Sequence, residues 1–159
     1  MPGLEDLYRE IILDHYRNPR NRGELPVPPA HRVEGFNPLC GDEVVIYLDV
    51  DGDKVTDLRI DGQGCSISQS SASMMSAAVK GKTVEEVRAL TRAFKAMMSI
   101  HESALDGGDG ELVEVDPDIK LGDLEALRGV VKFPVRIKCA TLAWNTLQQV
   151  LDEVQAEAV

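Results

Sequence analysis

Three cysteines, Cys40, Cys65 and Cys139, are spread along a chain of 159 residues, and each falls where a secondary element is expected to begin or end. Their contexts are Leu39-Cys40-Gly41-Asp42, Gly62-Gln63-Gly64-Cys65-Ser66 and Arg136-Ile137-Lys138-Cys139-Ala140. Gly41 and Gly64 remove side-chain bulk beside two of the thiols, which lets a bulky partner approach. Asp42 follows the first thiol by two positions. Three thiols and a carboxylate make a four-donor set for a tetrahedral metal such as zinc. If the fold brings them together, the rest of the chain is the scaffold of a metal or sulfur-handling site. The residues alone leave a second alternative open, since free cysteine is among the most buried residue types and the spacing is not a Cys-x-x-Cys signature.

The length suits a single domain, residues 1–159, with a substantial core. Acidic residues outnumber basic ones, 27 against 17, for a net charge of −10. That balance argues against nucleic acid, whose phosphates need clustered lysine and arginine, and against an anionic membrane surface. No apolar run approaches the ~18 residues of a membrane span. The start, Met1-Pro2-Gly3-Leu4-Glu5-Asp6, lacks the basic and apolar regions of a secretory signal, so a cytoplasmic location is expected. Thiols stay reduced there, and an odd set of three reads as ligands or nucleophiles rather than as a disulfide framework.

Helical spacing of Leu4, Leu7, Tyr8, Ile11, Ile12 and His15 predicts a helix over 4–17, stopped by Asn18-Pro19. Pro26, Pro28 and Pro29 mark an extended connection. The β-formers of 43–50, the turn signal Asp51-Gly52 and a less regular alternation of Val55, Leu58 and Ile60 over 54–61 predict a hairpin, with a further strand at 31–36. Small residues dominate a predicted helix over 67–80 that ends at Gly81. Thr83-Val84-Glu85-Glu86 is a capping box opening a helix over about 84–101. An exposed loop at 106–110, a short helical turn at Asp123–Leu127 closed by Gly129, and a last helix from Pro134 to about 154 complete the chain. In that last helix Leu142, Ala143, Leu147, Val150 and Leu151 form the apolar stripe, and Trp144 is expected to cover an adjoining surface. The fold class is α+β: a small antiparallel sheet of about three strands packed against several helices.

Cys65 precedes a helix and Cys139 lies near the start of another, where backbone N–H groups stabilise a thiolate. Arg136 and Lys138 add positive charge beside Cys139. Other candidates are weaker. His15, on the apolar face of the first helix, reads as a packed core histidine, and the sequence alone does not identify partners for His31 and His101. Asp49-Val50-Asp51-Gly52-Asp53 resembles the start of a calcium loop, but Lys54 and Ile60 stand where that loop needs Gly and Glu. Gly81-Lys82-Thr83 resembles the end of a phosphate-binding loop, but Ser76 stands where its first Gly belongs. The methionine pairs 74–75 and 97–98 read as core.

Four motifs together resemble the IscU/NifU-like family of iron–sulfur cluster assembly proteins. They are Leu7-Tyr8…Ile12-Leu13-Asp14-His15-Tyr16…Pro19-Arg20-Asn21; Asn37-Pro38-Leu39-Cys40-Gly41-Asp42; Gly62-Gln63-Gly64-Cys65-Ser66-Ile67-Ser68-Gln69-Ser70-Ser71-Ala72-Ser73-Met74; and Lys138-Cys139-Ala140. Within the family the chain resembles the SufU branch. Lys138 precedes the third cysteine where IscU proteins carry His, and an extra stretch of roughly 113–133 precedes the last helix. Lys132-Phe133-Pro134-Val135-Arg136 stands in the region of the IscU chaperone-recognition motif, which is absent. The resemblance implies a SufE/NifU-like fold with zinc on Cys40, Asp42, Cys65 and Cys139. It implies that Cys40 accepts sulfur from a cysteine desulfurase, a histidine of which replaces Cys40 on the zinc, freeing a thiolate to attack the desulfurase persulfide. Sulfur then passes to a downstream scaffold or to apo-proteins. Arg136 matches a basic position of the SufU motif and would assist by steering the persulfide.

Three functions follow from the same residues. The first is a zinc-dependent sulfur acceptor with sulfurtransferase activity. The second is a scaffold that assembles a transient [2Fe-2S] cluster on the same ligands, since thiolates suit both metals. The third is a structural zinc module. A Cys–His hydrolase finds no support, because no His lies near a Cys in sequence.

Overall fold

The structure is a computed structural model and describes residues 4–27, 30–38, 41–105, 122–132 and 134–157. Helix α1 spans Leu4–Arg17 and is followed by strands β1 (His31–Asn37), β2 (Asp42–Asp51) and β3 (Lys54–Gln63). Helices α2 (Ser66–Val79) and α3 (Val84–Leu105), a 3-10 segment (Gly122–Lys132) and helix α4 (Pro134–Glu157) follow. The expected loop at 106–110, Pro28, Pro29, Cys40 and His101's side chain lie outside what is described. No described helix is long and apolar enough to cross a membrane.

The strands form one antiparallel meander in the order β1-β2-β3. Val44, Ile46 and Leu48 alternate on the buried face of β2, the period-2 pattern of a sheet with one face on a core. In β3 the buried residues Val55 and Leu58 are three apart, because the register shifts between Asp49 and Val50. Thr56 is the extra residue of this bulge, and the slip returns Val55 to the core face. The irregular alternation seen in the sequence is the trace of that bulge. Gly52, at φ +64°, makes the hairpin turn.

The outer edge of β3 is covered by chain from elsewhere. Ile60 N–H donates to Asn21 O at 2.9 Å and Gly23 N–H to Ile60 O at 3.0 Å. Near the strand's start, Val55 N–H donates to Lys82 O and Gly81 N–H to Val55 O. These bonds remove a template for unwanted pairing. They also explain why α1 must stop at Asn18-Pro19, since Pro19 has no N–H to continue the helix and the chain turns to reach β3.

Helix α2 is central. Ser68, Ser70, Ser71, Ala72, Ser73, Met74, Met75, Ser76 and Val79 are all buried, so it has no polar face. Small side chains let α1, α4 and β3 approach it closely. Helix α4 crosses β1 at Gly35, where a Cβ would collide with Thr146 Oγ1. Two expectations on the C-terminal side are corrected. Trp144 does not cover a surface: it is fully buried and stacks on Phe94 with ring centroids 4.7 Å apart, because α3 closes over that side of α4. The short turn at Asp123–Leu127 does not close at Gly129; the 3-10 segment continues to Lys132, burying Leu124, Ala126, Leu127 and Val130.

The capping box at the start of α3 is formed reciprocally: Glu86 N–H donates to Thr83 Oγ1 at 3.1 Å and Thr83 N–H to Glu86 Oε1 at 3.2 Å. Replacing Thr83 by Ala is expected to cost about 1 kcal/mol, measured by urea unfolding. The Thr83 N–H holds the Glu86 carboxyl below the usual carboxylate range. A depressed folded value contributes stability that is present above the unfolded value and lost as the pH falls through the folded one. The stability gap between the wild type and Glu86→Gln should therefore be fully present at neutral pH and shrink as the pH falls below the ordinary glutamate value of about 4.3, vanishing only below the lowered folded value.

Candidate metal centre

Asp42 is the first residue of β2 and is fully buried. Its partner across the sheet, by register, is Asn37, and Val44 pairs with Gly62, so β2 and β3 run side by side up to the point where the chain enters α2. Two glycines allow that entry. A Cβ on Gly62 would strike the carbonyl of Glu43, and one on Gly64 would strike Asp42 Oδ1. The carboxylate therefore lies directly over the backbone of Gly64.

Cys65 is the N-cap of α2, with extended backbone at φ −70° and ψ 166°. Its N–H donates to Asp42 Oδ1 at 2.8 Å. Its Sγ accepts from Ser68 N–H at 3.4 Å, and its thiol faces Asp42 Oδ2 at 3.7 Å. A thiol occupies the place usually taken by a Ser or Asp oxygen at a helix start, so the unpaired N–H groups there face sulfur.

Cys139 is fully buried in the second turn of α4. The neighbouring carbonyl, Ala140 O, accepts from Ser71 Oγ at 2.6 Å, which binds α4 to α2 at the level of the thiol. Donor atoms of Asp42, Cys65 and Cys139 all lie within 4.8 Å of one another. A tetrahedral zinc with ligand bonds of about 2.3 Å holds its donors about 3.8 Å apart, so small movements close this trio on a metal. The donor chemistry fits as well. Buried carboxylates are normally paired with a cation, and among the described residues no Lys or Arg bonds to Asp42. Cys40 lies outside the described residues. Arg136, in the first turn of α4, is exposed, as is Lys138.

His15 is not part of this cluster. It is 2% exposed, with Nδ1 bonded to Ser73 Oγ at 2.8 Å and Nε2 to Asp123 Oδ2 at 2.9 Å. The Ser–His–Asp order matches that of a hydrolase triad, but Ser73 Oγ is fully buried and already accepts Arg20 N–H at 2.9 Å. The chain is a clamp that ties α1, α2 and the 3-10 segment together. Its partners were not evident in the sequence because they come from residues 58 and 108 positions away.

Residues 7–140 match the NifU-like N-terminal domain family. The chain belongs to this family. It is 47% identical to the zinc-dependent sulfurtransferase SufU of Bacillus subtilis over 92% of this chain and 90% of that one. It is 39% identical to the iron–sulfur cluster assembly scaffold protein IscU of Streptococcus pyogenes, over 93% and 84% of the two chains. A crystal structure from Fervidobacterium islandicum, described as a putative scaffold protein for the SUF system, superposes with a TM-score of 0.71 at 34% identity, covering 92% of this chain and 97% of that one. The N-terminal NifU-like protein of Brucella abortus shares the fold, with a TM-score of 0.77 at 24% identity over 96% and 97% of the two chains. The α+β architecture expected from the sequence is thus that of the family.

Gly64→Ala should force Asp42 away and break the Cys65 N–H bond. A loss on the order of 1–3 kcal/mol in unfolding free energy is expected, because a buried carboxylate loses its best donor. Denaturant unfolding of the metal-free protein checks this.

Proposed function

We propose that this protein is a zinc-binding sulfur acceptor in iron–sulfur cluster biosynthesis, one that takes persulfide sulfur from a cysteine desulfurase on Cys40 and relays it for cluster assembly. The observation that carries the reading is the convergence of Asp42, Cys65 and Cys139 from three distant parts of the chain. Cys40 is the fourth ligand in this reading, and two residues of chain reach no further than about 7 Å from Asp42. The relationship to a zinc-dependent sulfurtransferase over nearly the whole chain supports zinc as the metal. Zinc, when bound, keeps ligand thiols deprotonated at neutral pH.

The chain's own residues do the rest. The Cys40 thiolate attacks the outer sulfur of the desulfurase persulfide; a new S–S bond forms on Cys40, the partner's S–S bond breaks, and the partner's thiolate leaves. Arg136 is exposed in the first turn of the helix that carries Cys139, where it can meet an anionic persulfide. The buried Asp42 and the half-buried Cys65, joined by two contacts, hold their half of the site while Cys40 exchanges partners. The working location in this reading is the cytoplasm, and the sulfur goes to a scaffold or an apo-protein.

A second reading, a scaffold for a transient [2Fe-2S] cluster, is favoured by the likeness to IscU, since the same Cys/Asp set suits iron. Alanine production by the cognate desulfurase, measured anaerobically under reducing conditions, separates the two. The relay predicts several-fold stimulation by the zinc-loaded protein, lost in Cys40→Ala. No stimulation, together with a visible absorption band after anaerobic reconstitution with iron and sulfide, supports the scaffold.

A further inference from the structure

Five serines of α2 are buried: Ser68, Ser70, Ser71, Ser73 and Ser76. Four of them use their hydroxyls. Ser70 donates to Ile67 O, Ser71 to Ala140 O and Ser76 to Ser73 O, and Ser73 bonds His15 and Arg20. The hydroxyl of Ser68 is fully buried and has no partner among the described residues. Ser68 already touches the candidate metal centre, for its own N–H donates to Cys65 Sγ at 3.4 Å. Ser68 stands three residues after the N-cap, the position from which a side chain reaches back toward the N-cap residue.

The Cys65 sulfur accepts the Ser68 N–H and its thiol faces Asp42 Oδ2, so the position of the sulfur is set from two sides. A metal-bound cysteine sulfur is a charged acceptor that takes further hydrogen bonds. We infer that Ser68 is a positioning residue of the metal centre, whose hydroxyl donates to the Cys65 thiolate once a metal is bound. This rests on the zinc reading above. Groups that hydrogen-bond metal ligands orient them and tune their donor strength, and their loss typically costs 10–100-fold in metal affinity.

The test compares wild type, Ser68→Ala and Ser70→Ala as full-length protein. Ser70 serves as the control because its hydroxyl is satisfied by Ile67 O within α2. Zinc affinity is read by competition with a chromophoric chelator, metal-free stability by thermal unfolding, and the thiolate-to-metal charge-transfer band on the cobalt(II)-loaded protein. Ser68→Ala is expected to bind zinc about 10-fold more weakly, to leave metal-free stability equal or higher, and to move the cobalt band to longer wavelength. Ser70→Ala should leave affinity and band in place. Zinc affinity of Ser68→Ala within about twofold of wild type, an unchanged band, a matching change in Ser70→Ala, or a fall in metal-free stability each overturns the inference while leaving the zinc reading intact. Failure of the wild type itself to bind zinc removes both.

Discussion

A single buried carboxylate organises the centre. Asp42 reaches Cys65 twice, with Oδ1 on the N–H and Oδ2 opposite the thiol. The first contact fixes where α2 begins, and the second fixes where the sulfur sits. Both require that nothing stand between β2 and the entry to α2, which is why glycine occupies position 64. The register of β2 on β3 and the N-cap of α2 are thus one structural decision. A residue with a Cβ at that point would have to move either the strand or the helix.

The second organising feature is the use of hydroxyls in place of bulk. Helix α2 is largely buried, yet much of its buried surface is serine. Three of the bonded serines reach other parts of the chain: Ser71 reaches α4, while Ser73 and Ser76 reach the segment after α1. A helix of leucines could not approach its neighbours so closely, and alanines would give no direction. Hydroxyl bonds to backbone carbonyls and amides give α2 a defined rotation, and with it a defined direction for the Cys65 sulfur. His15 adds a link from Ser73 to Asp123, so the 3-10 segment is tied to the same helix.

Relay and scaffold make different demands on one donor set. A relay needs one thiol that leaves the metal and returns, with the others held. A scaffold needs all of them to accept a larger, charged cargo. The interlocked pair Asp42–Cys65 and the fully buried Cys139 supply a held side of the site, and the exposed Arg136 and Lys138 lie on the helix beside it. In the proposed relay these two cations offset, within the short range that salt allows, the repulsion of an anionic sulfur species by the acidic excess of the chain.

Much of the fold was legible in the sequence because it rests on local rules. Periodicity marked the helices, Asp51-Gly52 the hairpin, Asn18-Pro19 the end of α1 and Thr83…Glu86 the start of α3. These signals act over a few residues, where backbone sterics and capping decide the outcome. The motifs around Cys40, Cys65 and Cys139 also marked the candidate donors and the family. Tertiary structure decided the rest. Trp144 became core because α3 closes over it, the alternation of β3 was broken because Thr56 bulges, and His15 found Ser73 and Asp123 across the fold. That Asp42, Cys65 and Cys139 meet within 4.8 Å depends on how β2, α2 and α4 pack. Packing is a sum over contacts between distant residues, and no window of sequence contains them.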